Sequence, residues 1–234
     1  EIEFEGVPVQ ISNPAFARSL GVAMVFQHFS LFDSLTVAQN ISLGIDEKID
    51  PAKLAKRIID VSTRYGLPLD PERHVYTLSV GERQRIEIIR CLLQNPKLLI
   101  MDEPTSVLTP QEVDKLFETL RRLADEGMSI LYISHKLDEI KALCRHATIL
   151  RLGHKIDSVE VASQTPASLA GLMMGEALQL ADHAAHNEPG NIRLKVEHLD
   201  LPADTALGIS LRDVNLEVRS GEIIGLAGVA GNGQ

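Results

Sequence analysis

Three short apolar segments, separated by stretches of helix length, constrain the fold of this chain more than any other feature. They lie at residues 21–26, 98–101 and 129–133. Each segment is long enough for one buried strand. The helical patterns between them cover residues 51–64, 82–94 and 110–124. Thr36 can cap a further helix, and Thr109 can cap the last of these patterns, with Glu112 three residues after it. Residues 1–27 should form short strands and turns. Because strands that alternate with helices usually build a parallel sheet, the sequence predicts an α/β fold.

Composition limits the classes of partner. The formal net charge is −9, and aromatic residues make up only 4% of the chain. A surface that binds nucleic acid usually needs basic side chains and aromatic rings for stacking, so we expect no nucleic-acid partner. No apolar run approaches the ~20 residues of a membrane-spanning helix, so any membrane role should come through a partner protein.

Two acidic residues, Asp102 and Glu103, directly follow the apolar segment at residues 98–101. Open α/β sheets bind ligands at the carboxyl ends of their strands, which is where both carboxylates should lie. Asp102 can then hold Mg²⁺ directly or through water, and Glu103 can polarise a water for attack on a γ-phosphate. A structural interpretation, in which the acids only end the strand and cap the next segment, is equally open at this point.

The segment Leu78–Glu82 precedes a helical pattern and lies shortly upstream of the two acids. Ser79 and Glu82 have the spacing of a capping box, in which the serine caps the helix and the glutamate reaches back. The same segment also suits an anion site, because a serine hydroxyl, the Gly81 amide and a helix N-terminus all attract phosphate. The sequence leaves both interpretations open.

Two further polar residues follow apolar segments. Gln27 comes after the first segment, and His135 comes after the third, preceded by Ser134. At the same edge of a sheet, the Gln27 amide could bind Mg²⁺ or the attacking water, and His135 would lie within reach of a γ-phosphate. A lone histidine after a strand is more often structural, so the order of the segments carries more weight than any one of them.

That order closely resembles the ABC ATPase family. The four segments are Gln27, Leu78–Glu82, Leu98–Glu103 and Ser134–His135. In that family they are the Q-loop, the signature motif, the Walker B strand with its catalytic glutamate, and the switch histidine. The resemblance covers nearly the whole chain and implies ATP and Mg²⁺ as cofactors. The roles it implies are catalysis for Glu103 and His135, cofactor binding for Gln27, Ser79 and Gly81, and metal binding for Asp102 and Gln27.

The resemblance also implies an architecture. The family folds as a RecA-like P-loop NTPase core with an inserted helical subdomain, here at about residues 36–95. Two such nucleotide-binding domains sandwich two ATP molecules, each between the phosphate loop of one domain and the signature motif of the other. We therefore expect residues 1–156 to be a first nucleotide-binding domain.

Residues 157–190 are rich in Ala, Gln, His and Gly, and we expect them to be a linker. Strand patterns restart at 194–196 and 222–226, so residues 191–234 should open a second nucleotide-binding domain. A glycine-rich stretch closes the chain and resembles a phosphate loop in which glutamine replaces the usual lysine. The cofactor-binding residues predicted there are Gly228, Gly231, Gly233 and Gln234.

The chain departs from the family pattern at several points. Residues 1–26 contain no phosphate loop, so the chain is expected to begin just past one. In the signature motif, Val80 stands where the family usually has glycine, and Glu82 where it usually has glutamine. Thr109 occupies a place where the family often has aspartate.

These departures predict an asymmetric ATPase with one active and one weak site. The altered signature would face the phosphate loop that carries Gln234, whereas the other site would use Gln27, Glu103 and His135. The full-length protein should hydrolyse ATP to drive transport. The 234-residue chain alone should be inactive, because its first phosphate loop is missing.

Two nucleotide-binding domains in one chain resemble the ATPases of importers for simple sugars and nucleosides. The segments Leu78–Gly81 and Leu108–Glu112 look more like the nucleoside branch. The resemblance implies transmembrane permease subunits as partners, with His28–Asn40 facing the permease, and a periplasmic or lipoprotein substrate-binding protein acting indirectly. It also implies a position at the cytoplasmic face of the bacterial inner membrane.

Two alternatives remain. A soluble tandem ABC ATPase that acts on ribosomes or DNA should have a long, basic linker, whereas residues 157–190 are short and contain more His and acid than Lys or Arg. The other alternative is a catalytically inert fragment that only binds or scaffolds.

Overall fold

The computed structural model describes residues 1–45, 49–175, 190–203 and 208–226. The chain divides into two compact units, Glu1–Leu178 and Gln179–Gln234. The elements of the first unit are, in chain order, β1 (Ile2–Phe4), β2 (Val7–Val9), α1 (Pro14–Ser19), β3 (Val22–Val25), α2 (Val37–Leu43), α3 (Pro51–Arg64), α4 (Val80–Leu92), β4 (Leu98–Asp102), α5 (Pro110–Asp125), β5 (Ser129–Ile133), α6 (Leu137–Leu143), β6 (His146–Arg151), β7 (His154–Glu160) and α7 (Pro166–Met174).

The predicted α/β fold is confirmed by a parallel sheet with the strand order β3-β4-β5. Its three strands are the three apolar segments of the sequence. Leu99 and Met101 of the middle strand β4 are fully buried and share one core with Ile86 of α4 and Leu120 of α5. The other face of the sheet is less covered: Leu98 and Ile100 of β4 are only partly buried, and Leu131 of β5 is 51% exposed. The apolar runs therefore form strands that bury one face fully and the other only in part.

Helices α2, α4 and α5 begin with capping boxes. The pairs are Thr36 and Gln39 at α2, Ser79 and Glu82 at α4, and Thr109 and Glu112 at α5. In each pair the hydroxyl accepts from the third helical amide and the longer side chain accepts from the backbone amide of the cap. The caps predicted at Thr36, Ser79 and Thr109 are therefore confirmed.

Helices α2, α3 and α4 pack on one another through Ile41, Ile58 and Ile89, all of which are fully buried. They occupy most of the residues predicted as a helical subdomain, whose boundaries stay a prediction.

Residues before β3, which we expected to form strands and turns, also contain the short helix α1. Asn13 caps it by accepting from the Phe16 amide at 2.8 Å, and Pro14 occupies its first turn. An asparagine followed by proline is a helix-start signal, so the sequence contained this information.

The predicted linker at residues 157–190 overlaps regular structure. Residues 157–160 complete β7, which pairs with β6, and α7 packs on β6 and α6. Leu169 of α7 is buried, and the helix ends at Gly175 with a left-handed φ of 84°. Residues 157–175 are therefore folded within the first unit. An alanine-rich composition suits a linker and a packed helix equally, which is why composition misplaced this boundary.

The second unit contains an antiparallel pair, β8 (Ile192–Leu201) and β9 (Leu211–Arg219). The strand predicted at 222–226 is absent: these residues have no regular structure, and Ile223 is almost fully exposed. A strand needs a partner to pair with, and none of the described residues of this unit supplies one. The glycine-rich residues Gly228, Gly231, Gly233 and Gln234 lie outside the described residues.

No described helix combines the length and the apolar character that crossing a membrane requires.

Candidate functional site

The polar residues predicted as a site follow three adjacent parallel strands. Gln27 comes two residues after β3 ends, Asp102 is the last residue of β4, and His135 comes two residues after β5 ends. The register aligns Val25 with Met101 and Asp102 with Ile133, so the three strands end nearly level. All of these residues therefore lie at the carboxyl edge of one sheet, where open α/β sheets bind ligands.

Glu103 and His135 are in direct contact. The ring Nδ1 of His135 lies 2.7 Å from Oε1 of Glu103, although 32 residues separate them in the chain. The Glu103 amide also donates to the Ile133 carbonyl at 2.9 Å, which joins the ends of β4 and β5. The Glu103 side chain is 26% exposed and that of His135 is 64% exposed, so both can be reached from solvent. Their predicted catalytic roles stay a prediction.

The backbone at Glu103 is strained. Its φ is 44°, in the left-handed region that residues other than glycine rarely adopt. Such a conformation costs on the order of 1–3 kcal/mol and persists only where the surroundings hold it. It occurs here at the residue whose side chain meets His135, a placement typical of functional sites.

A buried carboxylate, Glu139, lies close to this pair. It belongs to the first turn of α6 and is only 8% exposed. Its Oε1 accepts from the Thr105 hydroxyl at 2.6 Å, and its Oε2 accepts from the Tyr132 hydroxyl at 2.7 Å and the Ser134 hydroxyl at 3.2 Å. The Lys136 ammonium lies 3.1 Å from Oε1 and also donates to the Thr105 carbonyl at 3.1 Å.

These contacts decide the charge state of the cluster. Burial acts to raise the pKa of Glu139, but the hydrogen bonds from Thr105, Tyr132 and Lys136 outweigh it, and the net effect lowers the pKa below its ordinary value. Burial and the neighbouring carboxylate raise the pKa of the Tyr132 hydroxyl, which therefore stays protonated and donates. Glu139 is thus an ionised carboxylate whose two oxygens are both occupied.

At the start of α4, Glu82 is held by the cap. Its Oε2 accepts from the Ser79 amide at 2.9 Å, and its Oε1 lies 2.6 Å from the Arg73 guanidinium. Partial burial raises its pKa, but these bonds outweigh burial and lower the pKa on balance. The negative charge at this position is therefore tied into the helix cap and an ion pair.

Gly81 leaves room for Glu112. The glycine is buried, and an ideal Cβ placed on it would lie 1.8 Å from Oε1 of Glu112. The other oxygen, Oε2, accepts from the Thr109 amide at 3.0 Å and the Thr109 hydroxyl at 2.9 Å. The missing side chain thus lets the cap of α5 pack against the start of α4. This is a structural reason for glycine that exists beside the predicted phosphate contact.

The structure does not bring every predicted residue together. Gln27 is exposed, and Asp102 is partly buried at the end of β4. Across the described parts of the chain, no hydrogen bond or ion pair joins Ser79 or Gly81 to Glu103 or His135. Two groups result, one at the sheet edge and one at the start of α4.

The segment predicted to face a permease is attached to α4 and α2. Glu87, fully buried on α4, accepts from the Ser30 amide at 2.9 Å, and Arg83 pairs with Asp33 at 2.8 Å. Asn40 of α2, also buried, accepts from the Phe32 amide at 2.8 Å. The Phe32 side chain itself remains 61% exposed. A rigidly supported loop therefore presents an aromatic ring to solvent.

Sequence reasoning missed Glu139, and it treated Glu112 only as a helix cap. Glu139 stands in the first turn of α6, where an acidic residue is expected for the helix dipole alone, so its position in the sequence gave no functional signal. No sequence pattern shows that its partners are Thr105 and Tyr132, because these residues lie on other elements.

The chain is similar to known proteins of ABC transporters. Residues 1–106 match the family model described as ABC transporter. The whole chain aligns with the nucleoside import ATP-binding protein NupA of Lactococcus lactis at 39% identity, covering 47% of that protein. It aligns over its whole length with the guanosine import ATP-binding protein NupO of Bacillus subtilis at 40% and a ribose import ATP-binding protein, RbsA 3, of Rubrobacter xylanophilus at 37%. The chain spans about half the length of these curated relatives.

Solved structures agree at the level of the fold. The cbiO1 protein of Clostridium perfringens, part of the ABC transporter complex cbiONQ, superposes with a TM-score of 0.58 at 27% identity. The match covers 68% of this chain and 65% of that protein. The ADP conformation of the ATP-binding cassette MJ1267 gives a TM-score of 0.58 at 21% identity over 72% of this chain and 71% of that one.

Proposed function

We propose that this chain, which resembles the ATP-binding proteins of simple-sugar and nucleoside importers, is an ABC-type ATPase that couples ATP binding and hydrolysis to uptake in such an importer. The observation that carries the proposal is the 2.7 Å contact of Glu103 with His135 at the carboxyl edge of a parallel sheet. The relatives' names as import proteins favour this function over a soluble ATPase that acts on ribosomes or DNA.

Within this proposal Glu103 is the general base. Its carboxylate accepts the proton of a water as that water attacks the γ-phosphate, and the contact with His135 fixes its orientation. The contact with the Glu103 carboxylate requires a proton on Nδ1 of His135. The other ring nitrogen, Nε2, therefore accepts a hydrogen bond when the ring is neutral and donates one when the ring is charged. A donor at that position would stabilise the negative charge that develops on the transferred phosphoryl group.

We propose ATP and Mg²⁺ as the cofactors of this edge. Asp102 and Gln27 would offer a carboxylate and an amide oxygen, the hard ligands that Mg²⁺ prefers. Among the described residues no group of three or more His, Cys, Asp or Glu could hold a metal by itself. This fits a cation that takes only one or two protein carboxylates and completes its shell with phosphate oxygens and water. When bound, Mg²⁺ neutralises charge between the β- and γ-phosphates.

The decisive experiment is Glu103→Gln in the intact protein. We expect kcat for ATP hydrolysis to fall by about 100-fold or more, while ATP binding persists, because only the proton acceptor is removed. Glu118→Gln is a suitable control, since Glu118 is exposed on α5 and loses the same charge. Unchanged hydrolysis in Glu103→Gln would refute the proposed role.

The proposed partners are transmembrane permease subunits at the cytoplasmic face of the membrane, with a substrate-binding protein acting indirectly. The supported loop that presents Phe32 is the proposed contact for the permease. An aromatic side chain on a rigid loop can enter a partner's groove with little loss of conformational entropy. Phe32→Ala should lower uptake more than it lowers ATP binding.

We further propose that residues 191–234 open a second nucleotide-binding domain and that the assembled protein is asymmetric. The signature segment at Ser79–Gly81 would meet the glycine-rich stretch that ends in Gln234, which lacks the usual lysine. Among the described residues no hydrogen bond or ion pair joins the signature segment to Glu103 or His135, which is compatible with each group serving a different nucleotide.

The proposed cargo is a nucleoside or a simple sugar, and the resemblance favours a nucleoside. Relatives named for nucleoside and guanosine import are 39% and 40% identical, and those named for glucose and ribose are 36% and 37% identical. Uptake of labelled guanosine and labelled ribose should be compared in cells with and without the gene. Loss of ribose uptake alone would contradict the nucleoside preference.

A further inference from the structure

We propose that Glu139 is a positioning residue that holds Glu103 and His135 in contact, an inference that rests on the hydrolytic role proposed above for that pair. Glu139 binds the neighbours of these two residues in the chain rather than their side chains. Its oxygens accept from Thr105, two residues after Glu103, and from Ser134, one residue before His135. One carboxyl group therefore holds the chain next to both members of the pair.

The position of Glu139 in its helix excludes a purely local role. It is the third residue of α6, the position from which a glutamate usually reaches back to the amide of the cap. Here the amide of the cap, Lys136, donates to the Ser134 hydroxyl at 3.0 Å. The carboxylate binds side chains from β5 and from the segment after β4 instead.

A carboxylate as buried as Glu139 is costly unless its oxygens are satisfied. Four donors satisfy it: three hydroxyl groups and the Lys136 ammonium. Removing one partner of such a network leaves the others buried and unpaired, so the arrangement has a single favourable geometry. A single geometry is what two reacting side chains on separate loops require.

The strained backbone of Glu103 supplies the second reason. Its left-handed φ of 44° has to be held by its surroundings. On one side its amide donates to the Ile133 carbonyl. On the other side Thr105, only 2% exposed, is bound by Glu139 and Lys136. Without the Glu139 carboxylate, Thr105 keeps only its contacts with Lys136, so the second restraint weakens and Glu103 can relax away from His135.

The test compares Glu139→Gln, Glu139→Asp and the surface control Glu118→Gln in the intact transporter. We expect Glu139→Gln to lower kcat for ATP by about 10- to 100-fold, the loss typical of a misplacement near 1 Å. KM should change by less than about three-fold, because Glu139 does not touch the nucleotide. Glu139→Asp keeps the charge with a shorter reach and should recover part of the loss. A purely structural role would lower Tm and leave kcat below Tm unchanged.

Thr105 provides a second, independent pair of variants if Glu139→Gln fails to fold. Thr105→Val removes the hydroxyl that Glu139 binds and keeps the volume, whereas Thr105→Ser keeps the hydroxyl. We expect the valine variant to lose kcat and the serine variant to retain it. If kcat in both Glu139→Gln and Thr105→Val stays within about two-fold of wild type while Glu103→Gln is inactive, the inference is overturned and the proposed function stands. Wild-type protein that does not hydrolyse ATP would overturn both.

Discussion

The substitution Gly81→Ala distinguishes two reasons for glycine at this position: room for the Glu112 carboxylate and the predicted contact with a phosphate. An ideal Cβ there would lie 1.8 Å from Oε1 of Glu112 and 2.5 Å from its Cδ. Non-bonded heavy atoms have their optimum separation at roughly 3.5–4 Å, so the carboxylate must withdraw by about 1.5 Å or more. The backbone of Gly81 is not in the left-handed region, so alanine meets no conformational penalty. The whole cost therefore falls on Glu112.

The loss of stability in Gly81→Ala depends on the hydrogen bonds that Glu112 loses. Its withdrawal breaks the two bonds from Thr109 to Oε2, which are the glutamate half of the capping box, whereas the Thr109 hydroxyl can still accept from the Glu112 amide. Losing a helix cap costs about 1 kcal/mol, up to about 2. Alanine is up to about 1 kcal/mol better than glycine inside a helix, and the gain is smaller in the first turn, where Gly81 lies. We expect Gly81→Ala to destabilise the protein by about 1 kcal/mol.

In a Glu112→Ala background the clash is gone, and the bonds from Thr109 to the Glu112 carboxylate are already lost. The same Gly81→Ala substitution should then be neutral or stabilising by about 0.5 kcal/mol. The coupling energy between the two sites is therefore about 1–2 kcal/mol. Thermal unfolding of the wild type, the two single variants and the double variant measures it, because 1 kcal/mol corresponds to about 2–4 °C in Tm for a chain of this size.

Additive effects of the two substitutions on Tm would refute the reasoning. The same four proteins also test the predicted phosphate contact. If the double variant hydrolyses ATP no faster than Gly81→Ala while Glu112→Ala stays active, the nucleotide itself requires glycine at this position. If the double variant hydrolyses ATP as fast as Glu112→Ala, the packing of Glu112 is the reason for the glycine.

Burial and charge give three further predictions. Burial raises the pKa of the Cys91 thiol to about 12, so little of it is the reactive thiolate at pH 8. A thiol reagent at this pH should label the partly exposed Cys144 first and Cys91 only after unfolding, and mass spectrometry of the labelled peptides would show the order. Glu82→Ala should lower the free energy of unfolding by about 1 kcal/mol at pH 7. Because the pKa of Glu82 is lowered in the folded protein, the glutamate stabilises the fold above its ordinary pKa of 4.5, and this stabilisation is lost as the pH falls. The Tm values of the variant and the wild type should therefore converge in acid. Leu120→Ala, at a fully buried position on α5, should cost about 2–5 kcal/mol, and a fall in Tm of less than about 4 °C would contradict the core described above.

Local features of the fold were determined by the sequence. Alternation of apolar runs with amphipathic segments predicts the three parallel strands, and the residues at Thr36, Ser79 and Thr109 predict the helix starts. These features depend on a few neighbouring residues and on the repeat of the helix or strand, which is why a linear pattern contains them. Composition was a weaker guide, since it assigned the residues of α7 to a linker.

Contacts between distant residues were decided only by the tertiary structure. The order of motifs predicts that Glu103 and His135 share an edge, but their 2.7 Å contact depends on the register of β4 and β5. The partners of Glu139 come from three separate elements, and the approach of Glu112 to Gly81 depends on how α4 packs against α5. Side-chain spacing along the chain carries no information about such packing, because it is the folding of the whole core that brings these residues together.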